Sequence, residues 1–223
     1  MDLVLQPRDG DVIDATSTMY PSRLEAIRGQ RELPMASSTY YGYVVGGAGR
    51  LRAGSFEVGL APETFFCVPG PASIEIDGLA IVVERLGFRG IPTAGMIEPR
   101  GRLTYIDGCS DSILVSPPRQ GDPVFNFLHF PPGIQQTVHS HPSIRLGVVA
   151  RGEGRAFGPM LGGGTWEQPL RPGAMFLLHP HEMHAFRTSE SGQSMDVIAY
   201  HPDSDWGPTD AIHPMLNRTY RGF

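Results

Sequence analysis

The chain has 223 residues, of which 40 % are hydrophobic and 18 % charged, so a normal globular core is possible in one large domain or two small ones. Its net charge of −5 and the lack of any basic cluster argue against nucleic acid as a partner. All 18 basic residues are arginine, which excludes a mechanism that forms a Schiff base on lysine.

The 28 glycines and 21 prolines suit many short strands joined by tight turns. Two cysteines, Cys67 and Cys109, do not make a disulfide framework. Cys67 lies in an apolar strand-like run and reads as a buried free thiol in a reducing compartment. No run of about 18 apolar residues occurs, so no membrane span is expected. The segment MDLVLQPRDGDVID is acidic and interrupted, unlike a signal peptide, and a cytoplasmic location is the expectation.

Residues 1–33 show no clear strand alternation. SRLEAIRGQR (22–31) reads either as a short helix with Ser22 near its N-cap or as a polar arm packed on the domain or on a partner. From Tyr40 a repeat emerges. YGYVVGGAGRL (41–51) resembles RLGVVARGEGRA (145–156), with Val44 and Val149, Gly47 and Gly152, and Gly49 and Gly154 each 105 apart. LAPETFFCVPG (60–70) resembles LRPGAMFLLHP (170–180), with Pro62 and Pro172, and Phe66 and Phe176, 110 apart. The five extra residues fall in the Gly-rich segment 158–168, where an insertion costs little. Such self-similarity predicts two copies of one β-domain. The boundary is expected near 98–106, where Pro99 and Gly101 interrupt the pattern, giving domains of 1–102 and 103–223.

The second half carries strand signals at 112–116 and 124–130 and ends a strand near 195–201. Between them lies FPPGIQQTVHSHPSIRLGVVARGEG (130–154). On a strand, alternate side chains share a face, so His139 and His141 would present two imidazoles on one wall. HPHEMHAF (179–186) offers a third nitrogen at His184. The first half has no histidine: Pro34, Ala36 and Ile74 stand at the equivalents of His139, His141 and His184. A metal site is therefore expected only in the second half. The tail from His201 carries Trp206 and His213, which either close the mouth of the domain or anchor a C-terminal arm.

These residues resemble the cupin superfamily. Gly133, five residues, His139-Ser140-His141, three residues, Arg145, six residues and Gly152 follow the first cupin motif closely. Pro172-Gly173 and His184 follow the second, with Ala174 in place of the acid and His179 where proline is common. The resemblance spans most of 40–200 as a bicupin. It implies an all-β chain of two cupin (double-stranded β-helix, or jelly-roll) barrels in tandem, and a homodimer. The usual glutamate ligand is Arg145 here. Cupins lacking that glutamate include three-histidine iron oxygenases acting on thiols, diketones and gentisate-like acids. The layout with a metal-free first cupin also resembles ureidoglycine aminohydrolase.

His139, His141 and His184 would hold one divalent metal per chain and leave positions open, the catalytic pattern for zinc and the all-nitrogen relative of the Fe(II) facial triad. Fe(II) is favoured, with Zn, Mn or Ni as alternatives. Three neutral ligands leave the ion its full charge and favour an anionic small-molecule substrate. Arg145, four residues after His141, is expected on the same face, either gripping a substrate carboxylate or paired with an acid such as Glu182. Glu182 is the candidate general base. His129 and His179 are candidate substrate contacts, with His181 beside them. The resulting expectation is a metal-dependent enzyme on a small organic acid, foremost an Fe(II) dioxygenase. A non-redox hydrolase, lyase or isomerase is the alternative, and a non-catalytic small-molecule-binding protein is a third. No helical DNA-binding module speaks for a self-contained transcription factor.

Overall fold

The computed structural model describes residues 1–190 and 192–204. Trp206 and His213 lie outside the described residues. The architecture is all-β. The described residues contain no α-helix, and the helical segment present is a 3-10 turn at Ile106–Gly108. No described helix is long and apolar enough to cross a membrane.

The first half supplies nine strands: β1 (Asp2–Val4), β2 (Val12–Ala15), β3 (Ser22–Leu33), β4 (Thr39–Gly46), β5 (Gly49–Ala53), β6 (Phe56–Leu60), β7 (Thr64–Pro69), β8 (Ala72–Arg85) and β9 (Thr93–Met96). The second half supplies β10 (Leu103–Thr104), β11 (Ser110–Val115), β12 (Val124–Phe130), β13 (Arg145–Arg151), β14 (Gly154–Pro159), β15 (Thr165–Leu170), β16 (Met175–Leu178), β17 (Ala185–Arg187) and β18 (Met195–His201). One eight-stranded sheet runs β2-β3-β8-β4-β7-β9, with β5 paired to both β6 and β8. A seven-stranded sheet runs β1-β16-β13-β18-β12-β11-β10, and β15-β14-β17 form a third. Strands β2 to β9 thus pair only among themselves, whereas β1 crosses over and adds to β16.

The repeat has a structural counterpart. β4 lies between β7 and β8, as β13 lies between β16 and β18. Gly42 stands opposite Phe66 in the ladder, and Gly147 stands opposite Phe176. In each pair the phenyl ring covers the glycine: an added Cβ would meet Phe66 Cζ at 2.1 Å and Phe176 Cζ at 2.4 Å. Glycine is required there by the ring, not by the backbone. Gly47 and Gly152 are the other matched pair, with φ of 87° and 67°, a region that glycine enters without penalty.

Three apolar clusters hold the sheets. Ile27, Leu51, Phe66 and Ile74 pack within the first half, and Leu128, Phe130, Phe176 and Phe186 within the second. A third joins the two halves, where Tyr41 meets Phe125 and Tyr200 at ring-centroid distances of 5.8 and 5.1 Å. Both cysteines are buried and free, and burial pushes the Cys67 thiol up to about 12, so it is no nucleophile.

The short helix or polar arm considered for 22–31 is neither: these residues belong to β3, paired to β2 on one side and β8 on the other. Leu24 and Ile27 are both buried, and their spacing of three mimics a helix face. A separation of three puts them on opposite faces of the strand, and both faces are covered. Leu24 faces the shared core, and Ile27 faces the core of the first half.

Candidate metal centre

The second-half sheet sets one face toward a cavity. Along β12, Val124, Asn126, Leu128 and Phe130 point inward, and Phe125 and Phe127 point to the shared core. His-x-His lies beyond the end of this strand, not on one as expected. Pro131, Pro132 and Pro142 have no N–H to donate, so residues 131–144 cannot continue a ladder. The segment is instead laced to the chain around β17. His139 and His184 exchange both backbone hydrogen bonds, at 2.9 and 2.8 Å. Gln136 N–H donates to the Phe186 carbonyl at 2.9 Å, and its side-chain oxygen accepts the Phe186 N–H at 3.2 Å. The His181 N–H donates to the His141 carbonyl at 2.7 Å, with His181 held at φ 60°.

This lacing brings the three imidazoles together. Ring centroids lie 5.2 Å apart for His139 and His141, 4.7 Å for His139 and His184, and 5.2 Å for His141 and His184. One nitrogen from each lies within 4.8 Å of the others. An ion bound tetrahedrally at about 2.1 Å holds its nitrogens about 3.4 Å apart, inside that bound. Two rings are oriented by the backbone. His139 Nδ1 is 2.8 Å from the Thr137 carbonyl and His184 Nδ1 is 2.8 Å from the Glu182 carbonyl. A carbonyl only accepts, so each Nδ1 carries the proton and each Nε2 keeps its lone pair. His184 is 1 % exposed, and its Nε2 has no hydrogen-bond partner among the described residues. A buried basic nitrogen left without a donor, with two further imidazoles beside it, is what a cation site requires.

Burial drives the His141 pKa down to about 3, helped by Arg145 and the two neighbouring histidines. Burial likewise drives His184 down to about 4, against the Glu182 carbonyl, which favours the charged form. All of this keeps these imidazoles neutral and able to ligate.

The remaining site candidates divide clearly. Arg145 lines the same cavity as His141. It is 3.7 Å from Asp203, not paired with Glu182, and donates to the Ser143 hydroxyl at 2.6 Å and the Ile144 carbonyl at 2.8 Å. Glu182 turns its carboxylate to the Met1 ammonium and the His179 N–H, away from the cavity. His179 is half exposed, 3.3 Å from Asp2. His129 alternates to the opposite face of β12, where its Nδ1 is 2.7 Å from Asp196. His201 does face the site, its ring 6.3 Å from His141, and burial holds its pKa well below the usual range.

Residues that the sequence did not single out complete the surroundings. A cavity of about 510 Å³ opens over His141, Arg145 and His201 and reaches Tyr105, Asp111 and Asn126. Below it, a well of about 30 Å³ is walled by the three histidines and by Phe130, Phe176 and Phe186. The signal available in the sequence was Asn126, a lone amide inside the largely apolar run Val124–Phe130.

Similarity to known proteins agrees with this architecture. The structure matches a cupin 2 conserved barrel domain protein from Leptotrichia buccalis at TM-score 0.61 and 16% identity, covering 91% of this chain and 96% of that one. It matches oxalate decarboxylase of Bacillus subtilis, a protein with Mn(II) centres, at TM-score 0.61 and 11% identity, covering 92% and 76%. It matches protein Ylba from E. coli, of the DUF861 family model, at TM-score 0.64 and 12% identity, covering 90% and 84%. The fold is therefore that of the cupins. A family model described as the AraC-like ligand binding domain matches residues 131–219. No curated protein matches the sequence.

Proposed function

We propose that the chain is a metal-dependent cupin enzyme, made of two tandem barrels at 1–102 and 103–223, that binds one divalent ion per chain at His139, His141 and His184 and acts on a small organic acid. The observation that carries this reading is the convergence of three imidazoles, one nitrogen of each within 4.8 Å of the others, with Nδ1 of two of them held by a backbone carbonyl. The recurring strand order and the paired Gly42–Phe66 and Gly147–Phe176 contacts support two copies of one barrel, with β1 of the first completing the sheet of the second.

Without a carboxylate ligand the ion keeps its full charge, and a chelating anion is the ligand it favours. A bound divalent ion supplies Lewis acidity and, if it is Fe(II), a route to dioxygen, the reading we favour over Zn, Mn or Ni. The protein supplies the rest. Backbone carbonyls orient two of the imidazoles, Phe130, Phe176 and Phe186 give the well an apolar wall, and Arg145 receives the substrate carboxylate at the cavity wall. Glu182, His129 and His179 do not line the cavity, so this reading assigns them no contact with substrate. The assembly we propose is a homodimer, and sedimentation at micromolar concentration tests it.

A second reading is a ligand-binding module without turnover. The AraC-like ligand binding match over 131–219 favours it. Oxygen uptake separates the two. Protein loaded anaerobically with Fe(II) should consume oxygen with at least one member of a panel of small carboxylic acids. Saturable binding of an acid with no oxygen uptake and no product would favour the binding module or a non-redox enzyme.

A further inference from the structure

Asp111 on β11 and Asn126 on β12 are diagonal neighbours across the ladder, because Asp111 pairs with Leu128 and Asn126 with Ile113. Both line the cavity above the histidines and are 7 % and 9 % exposed. Asn126 Nδ2 donates to Asp111 Oδ2 at 2.8 Å. That bond fixes the amide, so Asn126 presents its carbonyl oxygen as an acceptor. Oδ1 of Asp111 and Oδ1 of Asn126 are both buried and neither has a hydrogen-bond partner among the described residues. A carboxylate accepts through two oxygens and an amide carbonyl through two lone pairs, so this corner offers acceptors and lacks donors. Leaving such groups unsatisfied is costly, and a carboxylate with one neutral donor is the costlier of the two.

The surrounding groups do not meet this need. Arg145 faces Asp203 and the Ser143 hydroxyl. Tyr105 lines the same cavity as Asp111 and Arg145. Burial raises the pKa of Asp111, as expected for a carboxylate short of donors.

We propose that Asp111 and Asn126 form an amine-binding subsite, so that the ligand of this cavity is a small carboxylic acid carrying an ammonium group. The ammonium donates to Asp111 Oδ1 and Asn126 Oδ1, and the carboxylate lies toward Arg145 and the histidines. The carboxylate end rests on the function proposed above; the amine end rests on the two orphaned oxygens alone. The two acceptors select for a nitrogen bearing several hydrogens, and the negative charge of Asp111 selects a cation over a neutral amide.

The test is calorimetric titration of Zn(II)-loaded protein with the common α-amino acids, each against the same acid with hydrogen in place of the amino group. At least one amino acid should bind about ten- to a hundredfold more tightly than its counterpart, the range for a charge-assisted pair. Asp111→Asn has the same shape and keeps an acceptor for Asn126, so it should fold, retain its zinc and lose that preference. Asp111→Glu should recover part of it. The proposal is overturned if no amino acid binds more tightly than its counterpart, or if Asp111→Asn keeps the preference. Methylammonium titrated into metal-free protein separates this from the metal reading. Its binding to wild type and not to Asp111→Asn upholds the subsite even if no metal binds. Metal binding with no amine preference in either experiment would sink the subsite and leave the metal reading standing.

Discussion

Gly147→Ala and Gly42→Ala make the same change at equivalent positions, and only one of them adjoins the histidines. An alanine Cβ at 147 would lie 2.4 Å from Phe176 Cζ, and one at 42 would lie 2.1 Å from Phe66 Cζ. Ordinary contact begins near 3.4 Å, so the rings must retreat by about 1 Å and about 1.3 Å respectively. Both rings are fully buried and have little room to move. Overpacking of this kind costs about 1–3 kcal/mol. For a chain of this size each kcal/mol lowers the Tm by about 2–4 °C, so both variants should melt roughly 2–12 °C below wild type. Their effects on the site should differ. Phe176 walls the well beneath the histidines and lies 6.0 Å from Phe186, whose ring is 5.8 Å from His184. Displacing Phe176 should disturb His184, and Gly147→Ala should weaken metal binding. Gly42→Ala should leave it unchanged, since Phe66 packs only within the first half. Differential scanning calorimetry with zinc titration of both variants decides this. A Gly147→Ala protein as stable as wild type, or equal loss of metal affinity in the two variants, would refute the packing argument.

Other variants address the charged groups. Asp111→Asn should stabilise the protein at neutral pH, because burial raises the folded-state pKa of this acid above its ordinary 3.8. A raised acid is at its most favourable below the unfolded pKa and loses stability as pH rises through the folded one, so the variant's advantage should vanish below about pH 3.8 in urea titrations. Arg151→Met leaves Asp196, 2 % exposed, with His129 as its remaining partner once the 2.6 Å bond to Arg151 is gone. Because Arg151 is itself partly exposed, the loss should be about 1–3 kcal/mol by chemical denaturation. Arg145→Ala should keep its metal while weakening binding of the acid about ten- to a hundredfold, and Arg145→Lys should recover only part. Loss of metal from Arg145→Ala would make the arginine a structural residue.

Much of the fold was readable because the repeat rests on local steric rules. Gly42 with Phe66, and Gly147 with Phe176, are written in the sequence as matched residues 105 and 110 apart, and each is one ring on one glycine. The strands Val124–Phe130 and Met195–His201 were legible as short runs rich in apolar residues. β3 was not, since both of its faces are buried, Leu24 in the shared core and Ile27 in that of the first half, and their spacing of three copies a helix face. His139, His141 and His184 could be picked out by spacing, but the reason they converge could not. That reason is the backbone bridge from His139 to His184, with two carbonyls turning the rings, and neither depends on a residue type. Glu182 illustrates the limit of proximity in sequence. It stands two residues before a ligand, yet its carboxylate meets the far end of the chain at Met1. Asp111 and Asn126 escaped notice because a register 15 residues apart is needed to make them neighbours.

The central claim is a single three-histidine site in the second half, and metal stoichiometry tests it most directly. Protein purified without added metal, then loaded with one divalent ion and dialysed, should hold one ion per chain by mass spectrometry of the elements. The double variant His139→Ala, His141→Ala and the single variant His184→Ala should each hold none while keeping the all-β circular dichroism of wild type. A stoichiometry near two, or an ion retained by His184→Ala, would contradict the account.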